Sequence, residues 1–238
     1  YNVGIGQSAG SAITTGEKNT LMGFAAGDAI TTGASNNAVG YEALGATTTA
    51  NQNNAFGRRS LGSNTTGADN SAFGQNTLGN ATTASNNTAV GSDAGTSVTT
   101  GASNTLIGTA AGDALTDADY NVALGHLALS GDTKGSRSIA IGYGALFNQN
   151  FTSATDTYNT AVGHSAGTAV TTGDRNTLVG GLAGDALNTG AANVAVGYLA
   201  LSSDTKGSSN VAIGRSALTT QNFTTGTDSF NTAVGDRA

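Results

Sequence analysis

The chain has 238 residues and a net charge of −6, with 10% charged residues, 36 Gly and no Pro, Cys or Trp. Without Cys there is no disulfide framework, without a basic stripe nothing follows a phosphate backbone, so no nucleic-acid partner is expected, and no apolar run approaches the roughly 18 residues of a membrane span. An average chain carries about 5% Pro, and its absence fits a fold in which almost every segment gives its N–H to a ladder.

From the N-terminus onward, a strand-like pentapeptide of the pattern Asn-x-Ala-Val-Gly returns fourteen times, at Asn2, Asn19, Asn36, Asn53, Asn70, Asn87, Asn104, Asn121, Ser138, Asn159, Asn176, Asn193, Asn210 and Asn231. The spacing is 17 residues except for two intervals of 21, Ser138 to Asn159 and Asn210 to Asn231. A period too short for two helices, made of β-formers and Gly-rich turns, predicts an all-β parallel β-solenoid in which each repeat is one rung stacked on its neighbours. About fourteen rungs at a strand spacing of ~4.8 Å would run roughly 60–65 Å as a single domain over residues 1–238. The start at Tyr1, and the end at Ala238 just after a fresh pentapeptide, suggest a segment of a longer protein.

Within each rung the extended pentapeptide sends alternate side chains to opposite faces. The residue before the Gly is large and apolar throughout, as in Ile5, Met22, Val39, Phe56, Phe73, Val90, Ile107 and Val162, and the one before that is Ala or Leu in all but the first rung. A strand apolar on both faces is buried on both. One thin coil covers a single face, so a homo-oligomer is expected, with three copies the preferred number. The Ala and Gly column, represented by Ala38, Ala89 and Ala161 with Gly40, Gly91 and Gly163, is expected to admit the close approach of a second backbone.

The second half of the rung runs through Ala-Gly or Ala-Leu into Thr-Thr-Gly, as in Thr31-Thr32-Gly33 and Thr171-Thr172-Gly173. Its Gly reads as a turn residue with positive φ that closes the coil, making two short strands and two turns per rung. The opening Asn residues, Asn19, Asn36, Asn53, Asn70, Asn87, Asn104, Asn121, Asn159, Asn176, Asn193 and Asn210 among them, are expected to stack as a hydrogen-bonded structural ladder. A higher-order repeat aligns residues 104–163 with 176–235 at an offset of 72.

On these residues the chain resembles two related groups. The Asn-x-Ala-Val/Ile-Gly core is similar to the strand motif of trimeric autotransporter adhesin heads, which form left-handed parallel β-rolls from shorter repeats. Units such as Asn36-Asn37-Ala38-Val39-Gly40-Tyr41-Glu42-Ala43-Leu44, and residues 193–201, more closely resemble the 17-residue repeats of bacteriophage tail fibres and bacterial surface fibres. The resemblance implies a trimeric extracellular fibre, on a virion tail or a bacterial surface, without naming what it binds; attachment to a cell is the expected role, with a cell-surface glycan or protein as the candidate receptor.

Little in the chain points to catalysis, a metal or a cofactor. His126 and His164 follow the rung Gly, in a column of mixed residues typical of solvent. Asp28, Asp113, Asp185, Asp132 and Asp204 read as turn and surface residues, since the Gly-Gly-x-Gly-x-Asp pattern of calcium-binding β-rolls is missing. The Thr14, Thr31, Thr48, Thr65, Thr82 and Thr99 column raises ice binding as an alternative function, although adjacent Thr side chains cannot share one strand face. The two 21-residue rungs carry the candidate ligand contacts Asn150, Phe151 and Tyr158, and Asn222, Phe223 and Phe230, with packing of the aromatics against a neighbouring rung as the competing reading.

Overall fold

The computed structural model describes residues 1–238. It contains no helix: the chain forms a parallel β-solenoid of about fourteen turns, organised as two compact units, Tyr1–Asp119 and Tyr120–Ala238. In the first unit the strands β1 (Val3–Ile5), β2 (Thr20–Met22), β3 (Asn37–Val39), β4 (Asn54–Phe56), β5 (Ser71–Phe73), β6 (Thr88–Val90) and β7 (Thr105–Ile107) stack in sequence order. Each pairs in parallel with the next at an offset of 17 residues, so that Val3 lies beside Thr20 and Phe56 beside Phe73.

The second unit repeats the design with β8 (Val122–Leu124), β9 (Gly135–Ser136), β10 (Ile139–Ile141), β11 (Thr155–Asp156), β12 (Thr160–Val162), β13 (Thr177–Val179), β14 (Val194–Val196), β15 (Gly207–Ser208), β16 (Val211–Ile213), β17 (Thr227–Asp228) and β18 (Thr232–Val234). Across the long rungs the main ladder keeps its register, with Ala140 beside Ala161 and Ala212 beside Ala233. The added residues leave the ladder and instead support two small parallel pairs, β9 with β11 and β15 with β17.

Two local expectations are corrected. An ordinary rung has one strand, not two, because its second half holds left-handed residues two apart, such as Glu42 and Leu44, both at φ 53°, which no strand accommodates. Those turns still hydrogen-bond from rung to rung, as from Leu61 N–H to the Thr77 carbonyl at 3.0 Å. The glycine of Thr-Thr-Gly does not take a positive φ. Its constraint is space, since a Cβ on Gly33 would strike the carbonyl oxygen of Ala50 in the next rung.

The interior is filled in two alternative ways. Counting the opening Asn as position 1, position 9 is Leu where position 12 is small or polar, as in Leu44 with Thr47, Leu61 with Asn64 and Leu78 with Ala81. It is Gly where position 12 is a large aliphatic, as in Gly27 with Ile30, Gly112 with Leu115 and Gly184 with Leu187. The glycine rungs come in pairs served by one leucine at position 3. A Cβ on Gly167 would lie 2.6 Å from Leu178 Cδ1, and one on Gly184 would lie 2.8 Å from its Cδ2. Where Leu occupies position 9 it is left-handed, Leu61 at φ 51°, which costs about 1–2 kcal/mol. Leu61 is fully buried, and its removal from water contributes about 1.5–3 kcal/mol, so burial wins.

Asparagine closes the coil. Asn53 is buried and donates from Nδ2 to Asn36 Oδ1 at 3.3 Å and to the Gly67 carbonyl at 2.9 Å, while its own Oδ1 accepts the Asn70 backbone N–H at 3.1 Å. Asn19, Asn36, Asn70 and Asn87 repeat these contacts in the first unit and Asn193 in the second, while Asn176 keeps the bond to the Gly190 carbonyl and accepts the Asn193 backbone N–H. The amide thus ties three rungs together and satisfies groups that no water reaches. Asn70→Ala orphans the Asn87 N–H and the Ala84 carbonyl. It should cost about 2–4 kcal/mol in urea denaturation followed by circular dichroism, whereas Thr66→Ala in the exposed turn should stay within about 0.5 kcal/mol.

Candidate interaction surfaces

The strand faces are the reverse of the expectation from sequence. Ala38, Ala89 and Ala161 are fully buried inside the coil, where no second subunit reaches them. The coil is thin, so only small residues, or one leucine over two glycines, fit its strand wall, and the larger column is turned outward. Ile5, Met22, Phe56, Phe73 and Val90 are exposed in the first unit, and Leu124, Ile213 and Val234 in the second. Phe56 and Phe73 are still 38% and 40% exposed although their rings stack on each other at 5.0 Å. Gly40, Gly91 and Gly163 are likewise set by rung stacking: at φ 138°, 132° and 144° they are left-handed, and a Cβ on Gly91 would lie 2.6 Å from the Gly108 carbonyl oxygen.

The 21-residue rungs divide the candidate ligand contacts. Phe151 is 8% exposed, which corrects its reading as a displayed contact. Its backbone N–H donates to Asp132 Oδ1 at 3.0 Å and its carbonyl accepts from Lys134 N–H at 3.0 Å, so the residue is folded into the bulge. Phe223, its equivalent, is half-buried. Asn150 and Asn222 are exposed but occupied, accepting from Thr133 and Thr205 at 3.1 Å each. Tyr158 and Phe230 are displayed, at 56% and 72% exposure, and Tyr158 donates to Asp156 Oδ2 at 3.3 Å. The bulge therefore does not gather these residues into one concave site.

Beneath the bulge lies a buried polar network that reading the sequence missed. Asp132 and Asp204 are fully buried, not surface residues. Gln149 donates from Nε2 to Asp132 Oδ2 at 2.5 Å and to Ser138 Oγ at 2.9 Å, and its Oε1 accepts from Asn159 Nδ2 at 2.8 Å. Gln149 thereby supplies the acceptor that Ser138, lacking an amide, withholds from the ladder. The Asp132 carboxylate is served by N–H groups of Gly135, Gln149 and Phe151 in place of a counter-ion. Asp204 and Gln221 repeat the arrangement. The available signal was a polar residue at position 12, which Val98 and Val170 fill elsewhere.

The Thr14, Thr31, Thr48, Thr65, Thr82 and Thr99 hydroxyls donate to the carbonyl of the equivalent Thr in the next rung at 3.0–3.3 Å. That column is consumed by stacking, and the adjacent Thr15, Thr32, Thr66, Thr83 and Thr100 are the exposed ones. His126 and His164 are exposed and flank Tyr143, with ring centroids 5.5 and 5.2 Å from it. Asp113 and Asp185 each hold one buried carboxylate oxygen without a partner. Burial pushes both carboxyls above the ordinary range, and the Asp93 charge adds to this at Asp113.

The surfaces and rungs together define a β-solenoid repeat protein. No protein-family model matches the chain, and no curated protein is similar to it.

Two outcomes follow from this geometry. Gly91→Val should lower the melting temperature far more than Thr100→Ser, since the added side chain meets the backbone of the next rung in a left-handed conformation; equal melting temperatures would contradict the stacking account. For Asp113 and Asp185 the folded pKa lies above the unfolded one, so the folded chain binds more protons in that window and stability falls as pH rises through it. An Asp113→Asn, Asp185→Asn double variant should therefore melt higher than the parent at neutral pH. The gain should vanish as acidification through the raised carboxylate range protonates the parent.

Proposed function

We propose that the chain is a structural and adhesive segment of an extracellular fibre, on a phage tail or a bacterial surface, that assembles as a homotrimer and mediates attachment to a cell. The observation that carries this reading is the outward apolar column, one large side chain per rung over both units, including Phe56, Phe73, Leu124 and Ile213. Contiguous exposed apolar surface marks an interaction site. A column with the period of the rungs is met by another column of the same period, which a second copy of this chain in parallel register provides. Fully burying an exposed Phe or Leu contributes about 1.5–3 kcal/mol; Phe56, Phe73 and Leu124 are 38%, 40% and 42% exposed, so each has somewhat under half of that left to gain, and the sum over a column of such residues offsets the cost of association.

The rung supports a scaffolding role more than a catalytic one. Its polar side chains are spent on holding the coil together, as with Asn53, Thr65 and Asp132.

Light scattering on the purified chain at micromolar concentration should give a mass three times that of a single 23.1 kDa chain. A Phe56→Asp, Phe73→Asp variant should shift the mass to that of one chain while its circular dichroism keeps the β signal, because the substituted residues face outward and not into the coil. A well-folded monomeric parent would overturn the assembly reading. Labelled parent that fails to bind any bacterial cell surface would overturn attachment.

A further inference from the structure

Position 10 of the rung usually carries bulk: Asp28, Thr96, Asp113, Phe147, Thr168 and Asp185 stand there. In three consecutive rungs of the first unit it is Gly45, Gly62 and Gly79. None of the three has a positive φ, so no turn demands them. Their effect is a trough on the surface. A hollow of about 380 Å³ lies over Gly45 and Gly62, bordered by Phe24, Asp28, Glu42 and Arg59, and a second of about 190 Å³, sharing Arg59, lies over Gly79 beside Asn80. The larger volume falls within the range of small-molecule sites, and three rungs at ~4.8 Å spacing give a trough roughly 10–14 Å long.

The geometry points to this trough as a binding site for an uncharged, hydroxyl-rich oligosaccharide of a few residues, an assignment that deepens the attachment reading and rests on it. The lining alternates acceptors and donors. The Asp28 carboxylate, which makes no hydrogen bond within the chain, reaches over Gly45, with Oδ1 3.7 Å from where a Cβ would stand. Glu42 Oε2 and Arg59 Nε sit 3.4 Å apart, which leaves the remaining guanidinium N–H groups free to donate into the trough. A sugar hydroxyl both donates and accepts, so neighbouring hydroxyls suit such a mixed row, whereas a ligand of either charge meets one like charge in it. At one end Phe24 is half exposed and stacks on Tyr41 at 5.3 Å, offering an apolar edge to the C–H face of a sugar ring. The floor's backbone is already paired between rungs, Ala46 N–H to the Gly62 carbonyl and Ser63 N–H to the Gly79 carbonyl, so an extended peptide has no strand edge there to join.

The test is saturation-transfer difference NMR on the full chain with three probes: maltotetraose, chitotetraose and sialyllactose. At least one neutral tetrasaccharide should show transfer. Gly62→Thr, which places at position 10 the side chain that Thr96 already carries there, should fill the trough and weaken binding at least tenfold. Arg59→Ala should weaken it as well, and Ala is accepted at that left-handed position, as Ala25 at φ 51° and Ala110 at φ 53° demonstrate. Both variants should melt close to the parent. The assignment is overturned if no neutral probe shows transfer, if only sialyllactose does, or if Gly62→Thr binds like the parent. Cell binding by the same proteins separates the two readings: adhesion undiminished in Gly62→Thr removes the trough and keeps attachment, while saccharide binding by a parent that ignores cells does the opposite.

Discussion

Parallel stacking in register is the constraint on which everything else in this protein depends. Each strand of the main ladder is three residues long, too short to persist alone, and exists because the equivalent segment of the next rung takes its hydrogen bonds. Any side chain inside the coil must therefore fit between copies of itself or of its near equivalents. The asparagine amide meets that demand unusually well, since one group acts as donor to the rung before it and acceptor from the rung after it. Where Ser138 interrupts the series, the chain does not leave the position unpaired but reaches Gln149 across from another part of the rung to restore the acceptor.

The same constraint decides which face of the strand is inside. A coil of 17 residues encloses little room beside its strand, and alanine, with an occasional leucine, uses it up. The branched and aromatic column is left outside not because it is polar enough to be there but because nothing larger than leucine fits the wall. Surface chemistry then varies freely where the interior cannot. Positions 6, 7 and 10 change from rung to rung, and that variation produces the His126, Tyr143 and His164 row of rings in one unit and the glycine-floored trough in the other.

Much of the fold was written in the spacing. The period marked every strand of the main ladder, including the one at Ser138, because in-register pairing leaves no freedom to place them elsewhere. The inside and outside of the strand were not readable, because Ala and Val are both apolar and alternation alone has no sign; the width of the coil supplies it. The left-handed leucines were also hidden, since Leu44 and Leu61 give no local hint of a conformation that burial alone compensates. Nor did the acidic residues of the long rungs announce their burial. Asp132 looks like any turn aspartate until the bulge folds Phe151 and Gln149 over it.

The pairing of glycine rungs bears on how such a chain can grow. In the 72-residue block that recurs from residue 104 to residue 176, the first rung brings Leu106 with Gly112, and the last brings Ala161 with Gly167. Joining two blocks end to end sets Gly167 directly before the rung of Leu178 and Gly184, and that leucine at once covers both. The seam of the duplication is thus a ready-made junction, complete on the day it arises. A block one rung shorter, joining Gly167 to the rung of Ala123, would leave that glycine without its leucine, and one a rung longer, joining Gly184 to the rung of Leu106, would bring two leucines to one glycine. Recombination within such a gene is consequently bound by a punctuation carried in the core, and lengths that respect it are the ones that yield a filled interior.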